Sequence, residues 1–315
     1  MRKLKILLSI GGEDKAFSAM REKLSQTAEV KTVGLDGFSL RGVDIFIGKK
    51  LAAEKLAEAD CLKAVFAYKT GVDDFPLTHL SERGVKLYNS HVNSRYIAEY
   101  AFGLCLSLVN RIAEFDKGMR RGDWFTDDCN WKSLYSMKVG LVGYGSIGKE
   151  INKLLTLNGI KTFTVDRGGE YENITPVTSL EELCKVCGLL VLSLPKTPQT
   201  DKMFDERIFA LLKGKYIVNV GRSNCIDEGA LYEALKTHTL SGAAMDTWRA
   251  KPASNEPFYP FDRPFYELEN IILSSHKAMQ VADGHEKYVN DTLENVLAYI
   301  SGGVPRNEVN LLKGY

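Results

Sequence analysis

At 315 residues, 44% of them hydrophobic and 26% charged, the chain is long enough for two domains of ordinary size and able to bury a sizeable core. A formal net charge of +1 gives no reason to expect nucleic acid or a membrane surface as partner. The start, Met1-Arg2-Lys3-Leu4-Lys5, is basic, but Ile6-Leu7-Leu8 is too short for a signal peptide, and no stretch approaches the ~18 apolar residues of a membrane span. A cytoplasmic protein is expected.

The first third alternates strand and helix. Lys5-Ile10, Val43-Ile47, Leu62-Tyr68 and Val85-Tyr88 read as strands, Val30-Val33 less clearly, with helical patterns around Phe17-Leu24 and Leu51-Ala57. Such alternation predicts a parallel sheet flanked by helices. After the strand at Leu62-Tyr68 comes Lys69-Thr70-Gly71-Val72-Asp73. A glycine just past a strand's carboxyl end marks either an ordinary βα turn or a place where backbone N–H groups hold an anion. From Ser94 to Phe115 one long helix is expected, apolar nearly all round, with Ile97, Ala101, Leu104, Leu108 and Ile112 on one face. A helix of that kind is buried on several sides, as at an interdomain hinge or a subunit interface. Asn89, Asn93 and Arg95 at its start face the cleft it borders, and Gly118-Ser136, rich in polar and aromatic residues, reads as an arm or loop.

The middle of the chain carries the most specific signal. The apolar strand Lys138-Val142 runs into Gly143, Gly145 and Gly148, and Ile151, Leu154 and Leu155 then recur at helical spacing. In a G-x-G-x-x-G turn the first glycine permits the bend and the second lets backbone approach a pyrophosphate. The third lets helix pack on strand. The helix that starts through Ser146 and Ile147 offers unpaired N–H groups to the phosphates. A second strand, Lys161-Val165, ends at Asp166, 18 positions after Gly148, where an acid reads the adenosine ribose 2′-hydroxyl. The order strand, turn, helix, strand, acid points to a nicotinamide dinucleotide site rather than a structural turn or a flavin site. Asp166 favours NAD, because a carboxylate repels the 2′-phosphate of NADP. Arg167 could pair with that phosphate, but a guanidinium stacked on adenine or simply solvated is the preferred reading.

Further αβ units follow. Leu189-Leu194, ending before Pro195, and Tyr216-Val220, followed by Gly221-Arg222, read as strands. So do Ala243-Met245, ending at Asp246, and Ile271-Leu273, leading to Ser274-Ser275-His276. With the first two these make six strands, the count of a full dinucleotide-binding sheet. His285 to Ile300 is an amphipathic helix expected to return to the first domain. The six cysteines are scattered; Cys184 and Cys187 form C-x-x-C, but no second pair completes a tetrahedral metal site, so thiols packed in the core are expected.

Two residues carry chemistry. Arg222 and His276 both follow strand ends, which in an open α/β sheet point into one crevice. An arginine suits a planar carboxylate because it binds bidentately and stays charged. A histidine suits proton exchange because its unperturbed pKa, ~6.5, lies near neutrality. His79, His91, His238 and His285 read as surface or loop residues, His91 alone lying near the presumed cleft.

These motifs together resemble the D-isomer-specific 2-hydroxyacid dehydrogenase family, which includes glycerate, phosphoglycerate, D-lactate and formate dehydrogenases. The resemblance covers almost the whole chain. It runs from Thr70-Gly71-Val72-Asp73 through Asn93, Ala98-Glu99 and Arg111 to the glycine turn, then through Pro195-Thr200, Asn219-Val220-Gly221-Arg222, Asp227-Glu228, Ala243-Asp246 and His276. It implies a Rossmann-type doubly wound domain over residues 97–276 and a smaller flavodoxin-like substrate domain built from 1–96 and 277–315. It also implies NAD as cofactor, a small 2-hydroxy or 2-oxo acid as substrate, and a homodimer. By the same resemblance Arg222 binds substrate and His276 is the acid/base. The backbone at Thr70, Gly71 and Val72 holds the substrate carboxylate, with Asn93 nearby. Pro195, Thr200, Val220, Gly221 and Asp246 line the NAD groove.

One position departs from the family. Five residues after Asp246, where the family usually has a glutamate that hydrogen-bonds the histidine, this chain has Lys251. A cation there lowers a neighbouring histidine's pKa instead of raising it. Lys251 either points away, leaving Glu256 or no acid beside His276, or binds a second anionic group, or marks a site without ordinary turnover, as in dinucleotide-sensing corepressors of the family. Asp166-Arg167, Asn93-Ser94 and Asp246-Thr247-Trp248 look most like the formate dehydrogenase branch. That branch, however, has glutamine at the acid's position and an N-terminal extension. The reading that results is an NAD-dependent enzyme akin to glyoxylate/hydroxypyruvate reductases or phosphoglycerate dehydrogenase. Its alternatives are a formate dehydrogenase-like enzyme and a non-catalytic NAD sensor.

Overall fold

The structure, a computed structural model, describes residues 2–124, 130–250, 254 and 256–315. The chain forms two compact units, Met1–Asn93 with Ala282–Tyr315 and Ser94–Val281. Lys251 and Cys129 lie outside the described residues.

In the first unit the strands are β1 (Lys5–Ser9), β2 (Glu29–Val33), β3 (Ile45–Gly48), β4 (Ala64–Ala67) and β5 (Lys86–Tyr88). Between them come α1 (Lys15–Ser25), α2 (Ala53–Leu56) and α3 (Leu77–Glu82). The sheet is parallel, in the order β2-β1-β3-β4-β5, which is the flavodoxin-like arrangement. β3 and β4 are buried along their whole length, as strands covered on both faces must be, which is why they read as apolar runs and not as alternation. Asp14 starts α1 by accepting from the Phe17 N–H at 2.9 Å.

The second unit opens with α4 (Ser94–Val109) and α5 (Ile112–Arg121). Its strands are β6 (Lys138–Val142), β7 (Lys161–Val165), β8 (Thr175–Val177), β9 (Leu189–Leu192), β10 (Tyr216–Asn219), β11 (Gly242–Met245) and β12 (Ile271–Leu273). Its remaining helices are α6 (Ser146–Leu157), α7 (Leu180–Val186), α8 (Glu206–Leu211) and α9 (Glu228–Lys236). The last helix, α10 (Gly284–Ile300), belongs to the first unit, where it packs on α1 and β4. The second sheet is parallel in the order β12-β11-β10-β9-β6-β7-β8, a doubly wound sheet whose order reverses between β6 and β9. Ligands of such sheets bind at the carboxyl ends of the strands beside that reversal.

Three expectations are corrected. The sheet has seven strands, not six, because β8 pairs with β7. β8 contains Pro176 and is an edge strand, where proline is tolerated. The single long helix is two: Arg111 adopts a left-handed φ of 57°, and the Lys132 N–H takes the Val109 carbonyl, so the helix closes at Val109 although the apolar period continues to Ile112. The first part of the supposed arm, Gly118 to Arg121, is the last turn of α5. His79 and His285 are surface residues, as expected, and stand on helices α3 and α10.

α4 is apolar on several faces because the sheet (β10, β11 and β12) covers one side and α6 another. Cys184 and Cys187 are buried in the apolar core of this unit, and burial pushes their thiols up to about 11 and about 12. Thiols so far from ionisation are poor nucleophiles and metal ligands at neutral pH.

Candidate active site

The turn after β6 is shaped by contacts that only glycine permits. Gly143 has a φ of 100°, and the Ser193 hydroxyl at the end of β9 donates to its carbonyl at 3.0 Å. A Cβ on Gly148 would lie 2.2 Å from the Gly143 carbonyl oxygen, a backbone atom no rotamer change can move. Helix α6 follows with Gly145 as N-cap and no side-chain capping bond, which leaves its first N–H groups for a ligand. Gly148→Ala should therefore force helix from strand, and overpacking of this kind costs about 1–3 kcal/mol. A lower unfolding midpoint in urea is expected; a midpoint equal to wild type would show that the turn yields.

Asp166 stands exposed just past β7. Its Oδ1 accepts from the Gly168 N–H at 2.8 Å and the Tyr171 hydroxyl at 2.9 Å, and these two bonds hold the carboxyl below its usual range. Oδ2 takes no protein donor among the described residues, so it remains able to accept from a ribose hydroxyl. The Arg167 side chain is exposed, and its N–H donates to the Tyr171 oxygen at 2.6 Å. These features together fit a dinucleotide: an open glycine turn, an uncapped helix and an oriented acid one strand away.

The loop after β9 is closed by Thr200, whose hydroxyl donates to the Pro195 carbonyl at 2.8 Å and accepts from the Thr197 N–H at 2.9 Å. After β10, buried Asn219 shapes the next turn: its Oδ1 accepts from Gly221 N–H at 3.0 Å and its Nδ2 donates to the Arg222 carbonyl at 3.2 Å. Val220 is buried, and a Cβ on Gly221 would fall 2.6 Å from Leu194 N. Arg222 is half-buried.

His276 is also half-buried, and its backbone is left-handed, with a φ of 57°. For a residue with a Cβ this conformation costs about 1–2 kcal/mol, and neighbouring bonds hold it in place. Asp246, expected to line the dinucleotide groove, is buried and aims its carboxylate at this turn. Oδ1 accepts from the Ser274 hydroxyl at 2.5 Å and the Lys277 N–H at 2.8 Å, and Oδ2 from the Ala278 N–H at 3.2 Å. The Trp248 indole N–H donates to the Ser274 carbonyl at 2.7 Å. Because Ser274 gives its one proton to Asp246, the Tyr100 hydroxyl 2.9 Å away is the donor to Ser274 Oγ. Both sides of His276 are thus clamped. Tyr100, Trp248 and Ser274 had no assigned role in the sequence; Tyr100 lies 174 positions from its partner, so no local pattern marks it.

In the first unit, the loop Thr70-Gly71-Val72 follows β4. Among the described residues no acceptor within the protein takes the N–H groups of these three residues. Successive unpaired amides form an anion-binding concavity. Lys49, its Nζ 5.1 Å from the Tyr68 ring centre, and Lys69, paired with Asp74, bring positive charge to the same edge. Asn89 Nδ2 donates to the Thr70 carbonyl at 2.6 Å, and Asn93 is fully buried. Of the sequence-derived residues, then, Arg222, His276 and the glycine turn share the carboxyl edge of the second sheet. Thr70, Gly71, Val72 and Asn93 belong to the first unit. Glu256 is exposed.

Comparison with known proteins agrees with this geometry. A family model described as D-isomer specific 2-hydroxyacid dehydrogenase, NAD binding domain, matches residues 102–278, more than half of the chain. D-3-phosphoglycerate dehydrogenase of Methanocaldococcus jannaschii is 26% identical across 98% of this chain, which spans 57% of that relative's length. Glyoxylate reductase of Thermofilum pendens is 28% identical over 83% of this chain and 78% of its own. The crystal structure of the PH0520 protein from Pyrococcus horikoshii OT3 superposes with a TM-score of 0.86 at 28% identity, covering 98% of this chain and 96% of that one. Fold, glycine turn and family match converge: the chain belongs to the D-isomer-specific 2-hydroxyacid dehydrogenase family.

Proposed function

We propose that the protein is an NAD-dependent oxidoreductase interconverting a small D-2-hydroxy acid and its 2-oxo acid. One observation carries this reading: an arginine just past β10 and a histidine just past β12 lie at the carboxyl edge of the same parallel sheet, whose first βα turn has the geometry of a dinucleotide cradle. The second unit is the dinucleotide domain and the first the substrate domain. When bound, the dinucleotide supplies the hydride that reduces the carbonyl carbon. Arg222 holds the substrate's carboxylate and draws electron density toward the carbonyl oxygen. His276 gives its proton to that oxygen as the alkoxide forms, and takes it back in the oxidation direction. The N–H groups of Thr70, Gly71 and Val72 take the carboxylate's remaining charge.

Asp166 supports NAD over NADP, since its open oxygen accepts from a ribose hydroxyl and repels a phosphate. Asp166→Ala should weaken NADH relative to NADPH by about 10- to 100-fold, the worth of a hydrogen bond to a charged group. Fluorescence titration with both dinucleotides reads this, and an unchanged ratio removes the assignment. Exposed Ile112, Met119, Trp124, Trp131 and Tyr135 support association into a homodimer, which light scattering checks.

The decisive assay follows NADH and NADPH oxidation against glyoxylate, hydroxypyruvate, pyruvate, 2-oxoglutarate and oxaloacetate, with formate plus NAD in the opposite direction. Turnover of ~1–1000 per second on one 2-oxo acid establishes the activity. Formate oxidation alone replaces it with the formate reading, and silence with NADH bound replaces it with a sensor. A preference for dianions that Lys251→Glu abolishes assigns the lysine to a second anionic group.

A further inference from the structure

Thr70 is fixed from a part of the chain far away in sequence. Its hydroxyl donates to the Ser90 carbonyl at 2.8 Å, and the Tyr288 hydroxyl lies 2.9 Å from the same oxygen. A threonine hydroxyl has one proton, and that proton is already given to Ser90, so Tyr288 is the donor. The carbonyl of Thr70 accepts from Asn89 Nδ2, and the Ser90 N–H donates to the Lys69 carbonyl at 3.2 Å. The Ser90 hydroxyl in turn donates to Asp291, whose other oxygen takes Arg306 at 2.9 Å. Tyr288 and Asp291 are three residues apart on α10 and so share one face of it. That face therefore reaches the Thr70 loop at two points, one direct and one through Ser90.

We infer that Tyr288 is a positioning residue for the anion-binding loop, its hydroxyl bond to Thr70 Oγ1 holding the amides of Thr70, Gly71 and Val72 on a common point. The inference rests on the reading that this loop binds the substrate carboxylate. Tyr288 is 5% exposed, so its ring serves the core of the first unit as any large apolar side chain would. What a tyrosine adds to that core is the hydroxyl. Unpaired amides have no internal bond to set their direction, so their alignment depends on the bonds of the residue that carries them. Thr70 makes three such bonds, and the one from Tyr288 comes from outside the β4–β5 region.

Tyr288→Phe keeps the ring and removes the donor. We expect KM for the best 2-oxo acid to rise about tenfold, the effect of one lost hydrogen bond, with NADH affinity and thermal midpoint near wild type and kcat within about twofold. Backbone order parameters of the Gly71 and Val72 amides, from ¹⁵N relaxation, should fall from the rigid value of ~0.85 toward ~0.6. In a double-mutant cycle Tyr288→Phe should add no further rise in KM to Thr70→Val, which already removes the Tyr288 bond together with the one to Ser90. Unchanged KM and unchanged order parameters overturn the inference, as do fully additive losses in the cycle. If the wild-type protein reduces no 2-oxo acid, the functional reading fails by itself, and the order parameters alone decide the positioning role. Should Tyr288→Phe not fold, Thr70→Val removes the same bond from its other end, along with the bond to Ser90, and normal order parameters there overturn the proposal.

Discussion

Replacing His276 by glutamine is expected to lower kcat for 2-oxo acid reduction by about 10²- to 10⁴-fold, the usual contribution of a positioned general acid. Glutamine keeps a polar side chain of similar reach but has no proton to transfer near neutral pH. The backbone of the turn does not depend on the imidazole. Asp246 accepts from Ser274, Lys277 and Ala278, and Trp248 donates to the Ser274 carbonyl, so four bonds on the flanking residues survive the change. NADH affinity and the unfolding midpoint should stay close to wild type. Steady-state kinetics with the best acid from the panel, together with an NADH titration, separates the outcomes. A kcat within a few-fold of wild type would transfer the proton role to another group. Joint collapse of kcat, NADH affinity and stability would mean that His276 serves the fold.

The second large effect concerns the cation. Arg222→Ala should reduce kcat/KM by about 10³-fold, because the role proposed for the guanidinium is both to bind the carboxylate and to stabilise charge as it develops on the carbonyl oxygen. The main chain of Arg222 is held independently of its side chain: the carbonyl accepts from Asn219 Nδ2 and from Cys225 Sγ at 2.8 Å. The truncation therefore leaves the turn in place, and NADH should bind as before. Arg222→Lys should recover only part of the loss, since an ammonium keeps the charge but lacks the planar fork that matches a carboxylate. If alanine and lysine variants both lose NADH binding, Arg222 belongs to the dinucleotide site instead. If both keep full turnover, the carboxylate is held elsewhere.

Much of this site was legible because its signals are short. The spacing of Gly143, Gly145 and Gly148 is a statement about one turn, and the structure gives the reason in the 2.2 Å that separates a Gly148 Cβ from the Gly143 carbonyl oxygen. The strands β3, β4 and β9 were readable because a parallel strand covered on both faces needs a continuous apolar run. Other features resisted for equally physical reasons. The break at Arg111 is set by the Val109 carbonyl bonding to the N–H of Lys132, a residue beyond the helix pair. The strand β8 exists because β7 offers it an edge, as the pairing Thr164↔Pro176 records, not because Thr175-Pro176-Val177 favours extension by itself.

The sequence by itself determined the two αβ series, the dinucleotide turn with its acid, and the candidate pair Arg222 and His276. Each depends on backbone freedom, apolar period or charge type within a few neighbouring residues. Tertiary structure alone decided how those residues are held. Asp246 turned out to clamp the left-handed His276 turn with help from Tyr100 and Trp248, and Tyr288 to reach Thr70 across 218 positions. A hydrogen bond needs two groups about 3 Å apart in a fixed direction, and between residues this distant in sequence only the completed fold supplies that distance.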